Sequence, residues 1–71
     1  MNRINPRKLL HSKWTAVQPR NKEKHFMVIE VRFSEEGELE FCEIEAVYSH
    51  RAFAIDWHAL KDASVWQLGW R

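Results

Sequence analysis

Two alternating runs of apolar and polar residues, hinged on one glycine, constrain this chain more than any other feature in it. From His25 to Phe33, the residues Met27, Ile29, Val31 and Phe33 fall in step against Glu30 and Arg32. That is the period-two pattern of a strand with one buried face. Ser34-Glu35-Glu36-Gly37 follows, and Gly37 can supply the positive φ of a three-residue hairpin loop. Beyond the loop, Leu39 and Phe41 are apolar on odd positions, whereas Ile44, Ala46 and Tyr48 are apolar on even ones. A strand cannot change face without an extra residue, so the slip predicts a β-bulge at Cys42-Glu43 in a strand over 38–48. A loop over Glu35-Glu36-Gly37 pairs Phe33 with Leu39, Val31 with Phe41, and Arg32 with Glu40 as a cross-strand ion pair. The bulge then sets Ile29 against Ile44 and Met27 against Ala46.

The flanks complete a small sheet. Asn5-Pro6 reads as an N-cap followed by proline at the first helical position, opening a short turn through Leu9-Leu10. Ser12 to Val17 reads as a first strand, and Gln18-Pro19-Arg20-Asn21 as the turn after it. Ser49-His50 is a tight connection to a fourth strand, Ala52 to Trp57. Phe53, Ile55 and Trp57 share a face there, with Ala46 opposite Phe53 and Ile44 opposite Ile55. Asp56 can cap a helical turn over Trp57 to Lys61. Ser64-Val65-Trp66-Gln67 has the spacing of a capping box, with Gly69 ending that turn and Trp66 and Trp70 on one side of it. The expectation is a single mainly β domain over 1–71. It would be a four-stranded antiparallel meander curled towards a small barrel, with short helical turns near both termini and tryptophan-bearing segments closing the open end.

Size explains the aromatic content. A 71-residue chain buries only about 60% of its unfolded surface, and each aromatic side chain can bury roughly 150–250 Å². Four Trp and four Phe therefore read first as core. Trp14, Trp57 and Trp66 are the expected anchors, and Trp70, beside the C-terminus, is the weakest candidate for burial. Cys42 is the only cysteine, so no intrachain disulfide is possible. Together with the absence of an apolar leader or membrane-length run, this points to a reducing cytoplasm and no membrane partner.

Charge is segregated along the chain. Residues 1–25 carry seven basic residues against Glu23 alone, and residues 26–45 carry seven glutamates against Arg32 alone. The basic third, interleaved with aromatics, suits the phosphates and bases of single-stranded nucleic acid. The same basic residues can instead simply neutralise the acidic hairpin, within the chain or across a dimer, while marginal size, the acidic hairpin and the abundance of aromatics point to a protein partner. Lys13, Arg20, Lys22, Lys24 and Trp70 are the candidate partner-binding residues.

Catalytic and cofactor motifs are missing: there is no phosphate loop, no nucleophile elbow and no paired Cys-x-x-Cys. His11, His25, His50 and His58 lack the close spacing of metal ligands. Acidic neighbours (Glu40, Glu43 and Glu45) oppose a reactive Cys42 thiolate. The glutamates fit a solvated strand face. An enzyme would need a pocket where Asp56, His58 or a glutamate converges with other polar groups. The expected function is thus a small non-catalytic binding or accessory module acting through protein–protein contact, with RNA binding through the basic third as the alternative.

Asn5-Pro6-Arg7-Lys8-Leu9-Leu10 and Ser12-Lys13-Trp14-Thr15-Ala16 carry a resemblance, as do Ile55-Asp56-Trp57, Leu60-Lys61-Asp62 and Trp66-x-x-Gly69-Trp70. Together these runs resemble an uncharacterised bacterial family of short tryptophan-rich proteins. The resemblance implies a bacterial origin and a complete protein, and transfers no catalytic or binding residue.

Overall fold

A computed structural model describes all residues, 1–71. Five strands form one antiparallel sheet: β1 (Lys13–Arg20), β2 (Glu23–Phe33), β3 (Leu39–Ala46), β4 (Ala52–Ala54) and β5 (Trp66–Leu68). The spatial order is β4-β3-β2-β1-β5. The protein is mainly β, as expected, but with five strands and without barrel closure. Closure would require β4 to pair with β5, and these stand at opposite edges, each only three residues long. Short edge strands leave little unpaired backbone for unwanted pairing.

The fifth strand replaces the helical turn expected at Ser64–Gln67. Ser64 does not cap it. Its N–H and hydroxyl both donate to the Asp62 carboxylate, which turns the chain back onto the free edge of β1. Trp66 then pairs with Ala16 and Leu68 with Trp14. An unpaired β1 edge offers a row of backbone donors and acceptors, and a strand satisfies more of them than an isolated turn would.

The hairpin loop lies at Glu35-Glu36-Gly37, with Gly37 at φ 85° and Phe33 opposite Leu39. The rest of the register differs from expectation. The ladder shifts twice, between Val28 and Glu30 and between Arg32 and Phe33. Ile29 is therefore the extra residue on β2 and Glu40 the extra residue on β3, and no bulge falls at Cys42-Glu43. The inward set is Phe26, Val28 and Val31 facing Ala46, Ile44 and Cys42. Arg32 faces Phe41, not Glu40, with its guanidinium 4.2 Å from the ring centroid. The phase change on β3 is set by the extra Glu40, and the extra Ile29 on β2 then returns the register and switches β2's inward residues from Val31 to Val28 and Phe26. β4 pairs Ile44 with Phe53, because the connection spans residues 47–50 inside the Ala46–Arg51 backbone bond. That is longer than a two-residue turn. β4 itself stops at Ala54, before Asp56 begins the next cap.

β1 runs through Pro19 to Arg20, and the turn is Asn21-Lys22 rather than residues 18–21. Pro19 is tolerated because it lies where β1–β2 pairing is interrupted, between Thr15 and Arg20. Both helical turns form, as 3-10 segments: η1 (Pro6–Lys8) capped by Asn5 and η2 (Trp57–Lys61) capped by Asp56. Leu9 and Leu60, which follow or end these turns, join the core with Trp14, Phe26, Val28, Ile44, Ala46 and Trp66. The Asn2 side-chain amide donates to the carbonyls of Leu60 and Trp66, each at 2.8 Å, tying the two terminal segments together. Trp14 is 1% exposed, and its indole N–H donates to Ser12. Trp57 is half-buried against the core.

Candidate functional site

Trp66 and Trp70, expected on one side of a helical turn, lie on opposite faces of the sheet. Trp66 packs edge-on against Phe26, centroids 5.1 Å apart. After it, Gly69 at φ 85° turns the chain over the outer face. Only glycine occupies that conformation without Cβ strain. Trp70 then donates its indole N–H to the Phe26 carbonyl and leans on His25 at 5.8 Å, with the Lys13 ammonium 5.2 Å from its ring. This segment also seals Thr15, which is buried on that face. Its hydroxyl donates to the Gly69 carbonyl and accepts from the Arg71 N–H. Trp70 remains 44% exposed.

The five candidate residues therefore divide into two groups. Lys13 and Trp70 form the outer-face cluster. Arg20, Lys22 and Lys24 stand at the β1–β2 tip. There the two-residue loop Asn21-Lys22 has φ 55° and 63°, the signature of a type I′ turn. Asparagine tolerates that region, but a long side chain such as lysine does so only under strain. Glycine is the ordinary occupant at this position. Lys22 thus sits exposed at a strained position of the tip.

Beside this tip lies a cleft of about 440 Å³, whose lining includes Arg20, Glu23, Phe26, Arg51, Val65 and Trp66. Its floor is aromatic and its rim is guanidinium. Glu23 is 5% exposed, and a buried carboxylate must be paired. Arg51 supplies the pair with two parallel bonds, Nε to Oε2 at 3.0 Å and Nη2 to Oε1 at 2.6 Å. The Ser49 hydroxyl donates to the same carboxylate. The hydrogen bonds from Arg51 and Ser49 hold the Glu23 carboxyl at about 2, far below its usual range. Glu23 in turn fixes the guanidinium, which also stacks 4.6 Å over the Phe53 ring. Nη1 of Arg51 has no partner in the protein, and Arg20 makes no ion pair. The cleft is thus lined by two arginines, and its one carboxylate already accepts from Arg51 and Ser49. Glu23 and Arg51 were missed in the sequence because they are 28 positions apart. The one available signal was Glu23 itself, the lone acid in a basic run.

A second hollow, about 300 Å³, gathers Glu40, Cys42, Asp56 and His58 beside Trp57. It is the convergence that an enzyme reading asked for. Cys42 is 2% exposed, and burial, rather than its acidic neighbours, pushes its thiol up to about 11. The His58 ring lies 2.8 Å from Asp56, and that contact holds the Asp56 carboxyl below its usual range. His11, His25 and His50 lie elsewhere, and no three His, Cys, Asp or Glu side chains come together as metal ligands would. No helix is long and apolar enough to cross a membrane.

No curated protein and no solved structure matches the chain. A family model described as "Tryptophan-rich protein (DUF2389)" matches residues 12–71, from the residue before β1 to the C-terminus. The expected resemblance is therefore carried by β1 and everything after it, with Asn5–Leu10 lying ahead of the matched part. All four tryptophans that build the core and its two faces fall inside the match, and the chain belongs to this tryptophan-rich family.

Proposed function

We propose that the protein is a non-catalytic binding module of a reducing cytoplasm, and that the cleft at the β1–β2 tip receives an acidic segment of a protein partner. The observation that carries this reading is the pair Arg20 and Arg51 on the rim of one cleft with their only carboxylate spent internally. Guanidinium is the group that matches a carboxylate fork. Fixing Arg51 on Glu23 removes rotamer freedom before any partner arrives, which lowers the entropic cost of binding. An apolar floor of Phe26, Val65 and Trp66 with a few convergent polar groups is the ordinary make-up of a recognition site. The protonated, buried thiol of Cys42 argues against nucleophilic chemistry in the other hollow.

Fluorescence anisotropy with a labelled hexaglutamate peptide tests the reading. Binding should weaken about tenfold in Arg20→Gln, the loss expected for one charged hydrogen bond, and should fall with added salt. Equal affinity in the variant would refute it. Lys13 beside the exposed Trp70 favours a second reading, stacking of single-stranded nucleic acid on the outer face. That reading predicts binding of a mixed oligonucleotide pool at low salt, lost in Trp70→Ala and indifferent to Arg20→Gln.

A further inference from the structure

The two ends of β2 carry opposite charge and face opposite ways. Eleven residues of β2, at about 3.3 Å each, span roughly 36 Å, almost the whole 38 Å length of the molecule. At one end Arg20 and Arg51 line the cleft and Lys22 and Lys24 stand at the neighbouring turn, with Glu23 the one acid of residues 20–24. At the other, residues 30–40 carry Glu30, Glu35, Glu36, Glu38 and Glu40 against Arg32. That acidic tip is exposed and ordered. The Ser34 N–H donates to the Glu38 carbonyl at 2.7 Å, the Gly37 N–H to the Ser34 carbonyl at 2.9 Å, and the Glu38 N–H to the Ser34 hydroxyl.

We infer that the occupant of the cleft is the Glu35-Glu36-Gly37-Glu38 tip of a second copy of this chain, joining copies head to tail. The inference rests on the acidic-segment reading above and adds the identity of the segment. Both surfaces are present on one molecule and are complementary in charge. Both are also pre-formed: the cleft by Glu23–Arg51, the tip by the turn bonds of Ser34. A rigid hairpin tip gives up little conformational freedom on docking. Because the two surfaces differ and lie at opposite ends, the contact is heterologous. It propagates from copy to copy instead of stopping at a symmetric dimer.

The decisive experiment mixes two half-blocked chains and follows their mass by sedimentation. The head variant carries Arg20→Gln and Lys22→Gln; the tail variant carries Glu35→Gln and Glu36→Gln. All four positions are exposed, and neutral glutamine creates no new attraction. The wild-type mass should rise with concentration without a plateau at two copies, and should return towards 8.6 kDa in 0.5 M salt. Each variant alone should stay monomeric. Their equimolar mixture should reach a plateau at twice the monomer mass, because one intact tip meets one intact cleft and neither chain can extend further. A wild-type protein that stays monomeric at millimolar concentration would overturn the inference. So would variants that associate like the wild type, or a mixture that remains monomeric. The hexaglutamate peptide separates the two levels. If the tail variant binds it while the wild type does not self-associate, the second copy is wrong and the cleft stands. If neither occurs, both fall.

Discussion

The two hairpins that share β2 are built on opposite plans. At the β1–β2 end a two-residue turn sits close over the core: Glu23 and Phe26 are buried within a few residues of the tip, and Arg51 and Trp66 close around them. At the β2–β3 end the chain runs past the last β1–β2 pair, Lys13 with Met27. Its support thins to Val31 and Leu39, and Phe33 is 40% exposed. A carboxylate on a solvated tip stays hydrated and needs no partner. A guanidinium beside an aromatic floor must be positioned, and a buried carboxylate does so. The first hairpin is buttressed and the second projects, and each property follows from distance to the core.

Several substitutions would break or sharpen that contrast. The largest effect is expected from Phe26→Ala, which should lose about 3–5 kcal/mol of stability by urea titration. Phe33→Ala at the other end should lose about 1 kcal/mol or less. Equal losses would erase the distinction between a buttressed and a projecting hairpin. The loops come next. Gly37→Ala forces a Cβ onto φ 85°, where no neighbouring atom adds a clash, so the loss should be strain alone, about 1–2 kcal/mol. Lys22→Gly should do the reverse, stabilising by roughly 1 kcal/mol while weakening hexaglutamate binding. A stabilised variant with undiminished binding would show that the strained lysine is not held there for its charge.

The Glu23–Arg51 pair has no pH dependence near neutrality and acquires one in acid. The folded carboxyl titrates at about 2 against an ordinary 4.5, so the unfolded chain binds more protons between those values. The stabilisation is complete above about pH 4.5 and is lost as pH falls towards 2. Glu23→Gln should flatten that limb of a melting-temperature profile; an unchanged slope would place the acid sensitivity elsewhere. The smallest effect is expected at Glu30, whose bond to Arg32 is exposed on both sides. Glu30→Gln should change stability by less than about 0.5 kcal/mol.

Local chemistry was readable in the sequence, and competition between distant partners was not. Asn5-Pro6 and Asp56 cap their turns, and Gly37 sets the loop that pairs Phe33 with Leu39, because each depends on neighbours along the chain. The apolar phase slip after Phe41 signalled a bulge correctly. It could not say that the extra residue would be Glu40, or that Ile29 on the opposite strand would form a second bulge that cancels the register shift. Ser64–Gln67 matched a capping box, and the open edge of β1, some fifty residues away in sequence, drew the segment into a strand instead. For the site, Arg20, Lys22 and Lys24 could be named from charge. Arg51 could not, because its role exists only through Glu23. Trp70 was correctly the most exposed tryptophan, but Gly69 sends it to the face opposite Trp66.

The four indole N–H groups and the Arg51 Nε–H are five separate reporters of where an acidic ligand lands. Their nitrogen-15 resonances can be followed while hexaglutamate is added to the tail variant, which keeps the cleft intact and cannot self-associate through its tip. Trp66 and Arg51 line the cleft and should shift together, while Trp14, Trp57 and Trp70 stay still. Movement of Trp70 with Trp66 and Arg51 unmoved would place binding on the outer face and contradict the cleft as the site.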